Sequence, residues 1–202
     1  MIDRRALLVC ASLALCVAAP SVRAATDSPA ATITSLQQGL IAAARKADTP
    51  IQERYRALEP LIVATHNLPY IAEFALRRQW STLAEADRQR FIAAFQRLSV
   101  MTYAARFKAV GGDTFRAVTP SAADASGRVQ VTTAVARASQ PDVSLEYLLE
   151  KDGESWRIIN IVADGVSDLA LKRAEYQRVF AGGGIEGLIA ELEQQTERLQ
   201  KN

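Results

Sequence analysis

Past residue 24 the chain has no cysteine: its only two, Cys10 and Cys16, sit near the N-terminus. If that end is removed, no disulfide and no thiolate metal site can form, and folding needs no oxidising compartment. Histidine is almost as scarce. His66 stands alone, and without cysteine it cannot by itself supply the ligand set of a zinc site. Its place at a helix end suits a surface or capping role. No histidine is left to activate a serine, and neither a Gly-x-Ser-x-Gly turn nor a glycine-rich phosphate loop occurs. An excess of one charge is missing too. There are 24 Lys and Arg against 22 Asp and Glu, so no broad field favours nucleic acid. These absences remove the common routes to catalysis, and no cofactor or metal is expected.

What the N-terminus does have is a secretory leader. Arg4 and Arg5 precede an apolar run from Ala6 to Ala19. That run is shorter than the ~20 residues a membrane span needs. Pro20 breaks it, and Val22-Arg23-Ala24 places small residues where a signal peptidase reads. The expected organisation is a cleaved signal peptide over 1–24 and a single domain over 25–202. Cleavage removes Arg4, Arg5 and Arg23 from the 24 basic residues and Asp3 from the 22 acidic ones, leaving 21 of each. A secreted chain that needs no disulfide suits a bacterial periplasm.

The domain reads as helices, then strands, then helices. Ile33, Leu36, Leu40 and Ala43 recur at helical spacing over 31–46, and "DTP" (48–50) ends that segment. A second helix runs from Ile51 to about His66, with Pro60 expected to bend or end it. A third occupies 67–80, with Asn67 as cap and Pro69 in its first turn. The longest spans 82–110. Thr82 and Glu85 there have capping-box spacing, Phe91, Phe95, Leu98 and Ala105 form a stripe, Ile92, Tyr103 and Val110 widen it, and "GGD" (111–113) stops it. Strands are expected at 114–120, 127–138, 143–153 and 154–164, with "KDGE" (151–154) as a hairpin turn. Val143, Leu145, Tyr147 and Leu149 alternate with polar neighbours, whereas the 158–163 run is apolar at nearly every position. That last strand is therefore central or covered on both faces. A helix from Val166 to Phe180 follows, "GGG" (182–184) breaks it, and Ile185, Leu188, Ile189, Leu192 and Leu199 mark a final amphipathic helix. The fold class is α+β: N-terminal helices on a curved antiparallel sheet of about four to five strands, with two C-terminal helices.

Several residues carry two readings. Asp164 and Asp168 bracket Ser167 as an acid/base pair at a pocket mouth, or else Ser167 or Asp164 caps a helix whose first turn holds Asp168. Lys172 and Arg173 could receive a phosphate or lie on a solvated face. Trp80, Phe91, Phe95, Tyr103 and Trp156 could line a cavity or fill a core. An enzyme acting on an apolar substrate would need a buried carboxylate base, for which Glu146 and Asp164 are the candidates, although strand parity and turn position aim both outward. A ligand-free scaffold with a packed core is the third alternative.

The segment "WRIINIVADGVSDLALKRAEYQRVFAGGGIEGLIAEL" (156–192) resembles the C-terminal signature of the MlaC, or toluene-tolerance, family of periplasmic phospholipid-binding proteins. The carriers of the resemblance are Trp156, the apolar strand, Gly165-Val166-Ser167, Tyr176, Phe180, a glycine at 184, Leu188 and Leu192. "RRQWSTLAEADRQRFIAAFQRLSVMTYAARF" (77–107) is similar to the family's Trp-containing turn and Phe-x-x-x-Phe helix. "DGVSDLALKRAEY" (164–176), in which Gln177 and Arg178 follow Tyr176, looks more like the hopanoid-biosynthesis-associated branch. The resemblance implies helices and a sheet enclosing an apolar cavity for a phospholipid or a hopanoid. It implies shuttling between inner and outer membranes, with transient docking to an inner-membrane MCE-domain transporter or an outer-membrane complex. The walls it implies are Phe74, Phe91, Phe95, Leu98 and Tyr103 from the helices. The sheet would add Val131, Val135, Leu145, Tyr147, Ile159 and Ile161, and the turn into the next helix Val166 and Leu169.

Overall fold

Ser28 opens the first helix, α1 (Pro29–Ala44), by accepting the Ala31 amide on its hydroxyl at 3.1 Å, with Pro29 in the first turn. The computed structural model describes residues 28–45, 48–107, 114–137 and 140–201. The leader, the expected stop at 111–113 and Val110 lie outside the described residues. Helix α2 (Ile51–Thr65) continues past Pro60, which lies on its exposed side. Of the two expectations for Pro60, a bend or an end, the end is thus corrected. Asn67 caps α3 (Leu68–Leu76), its Oδ1 accepting the Tyr70 amide at 3.2 Å. Arg77, at φ 41°, ends α3 four residues earlier than expected, and a single 3₁₀ turn (Trp80–Thr82) leads into α4 (Glu85–Arg106). The expected capping box does not form. Thr82 Oγ1 donates to the Gln79 carbonyl at 2.7 Å inside the 3₁₀ turn, and Ala84 occupies the N-cap without a side-chain bond. Arg88 ties that turn to α4 instead, through its Nε to the Trp80 carbonyl at 3.1 Å. The α4 stripe buries Phe91, Phe95 and Leu98 as expected, but Ala104 and not Ala105 completes it.

Among the described residues the sheet has six strands. The expected 114–120 strand is two short pieces, β1 (Thr114–Phe115) and β2 (Thr119–Pro120), both paired with β3 (Val129–Arg137). Then come β4 (Gln140–Asp152), β5 (Ser155–Ala163) and the two-residue β6 (Val166–Ser167). All pairs are antiparallel, in the order β1-β3-β4-β5-β6 with β2 beside β1 on β3. The hairpin between β4 and β5 turns on Gly153, whose positive φ of 61° favours glycine. Register places Val129, Val131 and Thr133 opposite Leu149, Tyr147 and Leu145. This face, joined by Ile158 and Ile161, packs on the helices, with Gln37 of α1 donating to Thr133 Oγ1 at 3.3 Å. The other face is wetter, with Gln130 donating to Glu146 at 3.0 Å. Strand β5 is covered as its composition requires, since it touches α1, α2 and α3.

The chain closes with α5 (Asp168–Lys201), a helical run interrupted at Gly184, whose φ 62° and ψ −159° are not helical. Its first limb packs on α3, β5 and α4, and its second continues along α4. Tyr176 from the first limb meets Phe91 and Phe95 edge-on at centroid distances of 6.0 and 6.2 Å. Each such buried aromatic contributes about 1.5–3 kcal/mol. Among the described residues no helix is long and apolar enough to cross a membrane.

Candidate ligand cavity

A bulge in β5 starts the site. Leu148 pairs with Asn160 and Leu149 with Ile158, so Ile159 is an extra residue opposite β4. A bulge lets two successive residues meet one face. Ile159 and Asn160 accordingly both join Leu148 on the floor of a cavity of about 490 Å³. Parity puts Leu148 on the sheet face opposite Leu145 and Tyr147. Tyr70 and Phe74 of α3 form one wall, their rings stacked at 6.1 Å. The first limb of α5 forms the other, presenting Ala170, Arg173, Ala174 and Gln177 at the three- and four-residue steps of one helix face. Leu169 lies beside them, and Arg128, just ahead of β3, closes the rim.

Asn160 anchors the second wall. Its Oδ1 accepts from Ser167 Oγ at 3.1 Å and from the Leu169 amide at 3.3 Å, while Ser167 Oγ accepts the Ala170 amide at 3.2 Å. Ser167 is thus the N-cap of α5, and the cap is fastened to the bulge. Of the two capping candidates, Asp164 is not used. It sits with Gly165 at positive φ in the β5–β6 turn, and its carboxylate accepts the Ser144 amide at 2.9 Å. Asp168 holds Lys172 at 2.6 Å. Neither aspartate lines the cavity, nor does Glu146.

His66 is a capping residue, at the C-terminus of α2, but it is only 4% exposed, so the surface alternative is corrected. Its Nε2 lies 3.0 Å from Tyr103 Oη and its Nδ1 3.0 Å from Thr65 Oγ1. Thr65 already donates its proton to the Leu61 carbonyl. That assigns the ring proton to Nδ1, so Nε2 accepts from Tyr103. Burial lowers the His66 pKa to about 4 and raises that of Tyr103 well above the usual phenol range, consistent with a neutral pair.

The expected wall residues divide by position. Phe74, Ile159 and Leu169 line the cavity. Phe91, Phe95, Leu98, Val131 and Tyr147 lie in the packed core. Tyr103, Leu145 and Ile161 are half-buried against that core. Val135, also half-buried, pairs with Phe115 and Val143, and Val166 is 52% exposed in β6. Not anticipated were Tyr70, Arg128, Leu148, Asn160, Ala170, Ala174 and Gln177. Arg173, expected on a solvated face unless it receives a phosphate, is half-buried in the wall.

The model of the MlaC protein family matches residues 32–194. The chain belongs to the MlaC family. That match runs from α1 into the second limb of α5, across every element of the cavity. The solved structure of a phospholipid-binding protein from Ralstonia solanacearum, in complex with a phospholipid, is similar in fold. Its TM-score is 0.73 at 23% identity, over 84% of this chain and 97% of that one.

Proposed function

We propose that this MlaC-family protein is a periplasmic lipid carrier, which takes the apolar part of a membrane phospholipid or hopanoid into the cavity between α3, β5 and α5 and moves it between inner and outer membranes. The observation that carries the reading is the cavity itself: an apolar floor, two helical walls and a charged rim in one pocket. The phospholipid held by the Ralstonia relative supports it. Its volume lies in the ~300–1,000 Å³ range of ordinary ligand pockets. A carrier also has a physical reason to exist. Each CH₂ exposed to water costs about 0.8 kcal/mol, so one long acyl chain costs roughly 10 kcal/mol in free transit. Shielding the chain removes that barrier without any bond being made or broken. Docking to an inner-membrane MCE-domain transporter or an outer-membrane complex would then load and unload the carrier. Among the described residues no carboxylate lines the cavity, which weighs against the alternative of a buried general base.

Two substitutions on opposite sheet faces test the assignment. Leu148→Trp projects into the cavity and is expected to displace lipid while changing stability little. Leu145→Trp meets the helical core and is expected to cost about 1–3 kcal/mol by overpacking, with lipid uptake unchanged. Uptake from vesicles and denaturation of delipidated protein measure both. The opposite pattern would place the lipid between the sheet and α4.

A further inference from the structure

The charged groups of the cavity are of one sign. Among the described residues two guanidiniums line it, Arg128 and Arg173, and no carboxylate does. They differ in what they already hold. Arg128 donates through Nε to Glu150 at 3.3 Å and through a terminal nitrogen to Tyr70 Oη at 3.0 Å. The neighbouring cation on α5, Lys172, is held by both oxygens of Asp168 at 2.6 Å. Arg173 makes no hydrogen bond or ion pair with any described residue, yet it is half-buried in the wall. A partly desolvated charge without a partner is costly, and an anion in the cavity relieves that cost.

Neutral donors stand nearby. Asn160 uses its Oδ1 twice, but its Nδ2 donates to no described residue. Gln177 sits one helical turn beyond Arg173 on the same wall, and its amide is equally unengaged. Guanidinium plus amide N–H groups match phosphate oxygens, and charge-assisted bonds to phosphate are the strong ones. The apolar floor of Leu148 and Ile159 lies in the same cavity, so the anion that fits carries a hydrocarbon chain with it. An ammonium on the same headgroup finds no carboxylate among the described lining residues.

We propose that Arg173, with the Asn160 and Gln177 amides, forms a subsite for the phosphodiester of a lipid headgroup with net negative charge, and that this subsite selects anionic phospholipids over zwitterionic ones. The proposal rests on the lipid-carrier reading and adds headgroup selectivity to it. A hopanoid without phosphate gains nothing from this subsite.

The test uses delipidated full-length mature protein and vesicles of equal phosphatidylglycerol and phosphatidylethanolamine with matched acyl chains. Bound lipid is extracted and quantified. Wild type is expected to enrich phosphatidylglycerol about tenfold, the order of the repulsion between the ethanolamine ammonium and a nearby guanidinium, since both lipids offer Arg173 the same phosphodiester. Arg173→Gln should bring the bound ratio close to that of the vesicles, Arg173→Lys should keep part of the enrichment, and Lys172→Gln should keep all of it. Equal ratios for wild type and Arg173→Gln, with lipid still bound, overturn the subsite and leave the carrier intact. Protein that binds neither lipid overturns both. Inorganic phosphate alone is expected to leave the melting temperature unchanged. A rise that Arg173→Gln abolishes assigns the site to free phosphate and overturns headgroup selection.

Discussion

His66 has both ring nitrogens occupied and almost no water around it, which makes it a reporter of folding at acid pH. The unfolded chain takes up its proton near pH 6.5, whereas the folded one, with burial opposing the cation, waits until about pH 4. Nearby Asp168 favours the charged ring and Lys172 opposes it, both less than burial does. The folded pKa is depressed, so this contribution to stability is complete above pH 6.5 and is lost as pH falls towards 4. The loss is about 3 kcal/mol for a shift of this size. Denaturant titrations across that window should show the fall, and His66→Gln should lower stability at pH 7 while flattening the slope. An unchanged slope in the variant would assign the acid sensitivity to other groups. The capping position of His66 is legible from its place at a helix end. Its burial is not, because the partner that closes over it, Tyr103, lies 37 residues away. Two other site residues did leave local traces. Leu148 breaks the polar alternation of Ser144, Glu146 and Glu150, and Asn160 is the lone polar side chain between Ile158 and Ala163. Both irregularities mark the cavity floor.

At the scale of elements, α5 depends on one glycine. Gly184 adopts a backbone conformation that is essentially reserved for glycine, and it separates the cavity wall from the limb anchored on α4. That anchor includes Arg90 to Glu186 at 2.6 Å and Arg97 to Glu193 at 3.2 Å, exposed pairs that fix direction more than they add stability. Gly184→Ala is expected to cost about 1–3 kcal/mol in strain. Gly182→Ala, in helical backbone with nothing within 4 Å of the new methyl, is expected to be neutral or to stabilise by up to about 1 kcal/mol. Thermal unfolding of the two variants measures the difference, and a Gly184→Ala protein as stable as Gly182→Ala would show that the limbs can join as one helix. The order of elements, the "KDGE" turn and the break at "GGG" are readable because each rests on local backbone chemistry. The β5 bulge is not, since it depends on registering β5 against β4. The start of α4 misleads for a related reason: the Thr82 hydroxyl is captured by the turn before it can serve as a cap.

At the scale of the molecule, the periodic apolar stripes predict that helices cover a sheet, and they do. They cannot say which sheet face keeps an opening, because core and ligand wall ask for the same apolar residues. Phe95 and Tyr147 fill the core on one face, while Leu148 and Ile159 line the cavity on the other, between α3 and the first limb of α5. A ligand held in that gap binds only the folded state, so it should raise the melting temperature as its concentration rises above its dissociation constant. The most direct measurement is native mass spectrometry of mature protein isolated from the periplasm, followed by extraction of whatever it carries. The account predicts protein with a reproducible mass of bound lipid, and a lower melting temperature once that lipid is stripped. Protein that emerges free of lipid, and takes up none from phospholipid vesicles, would contradict it.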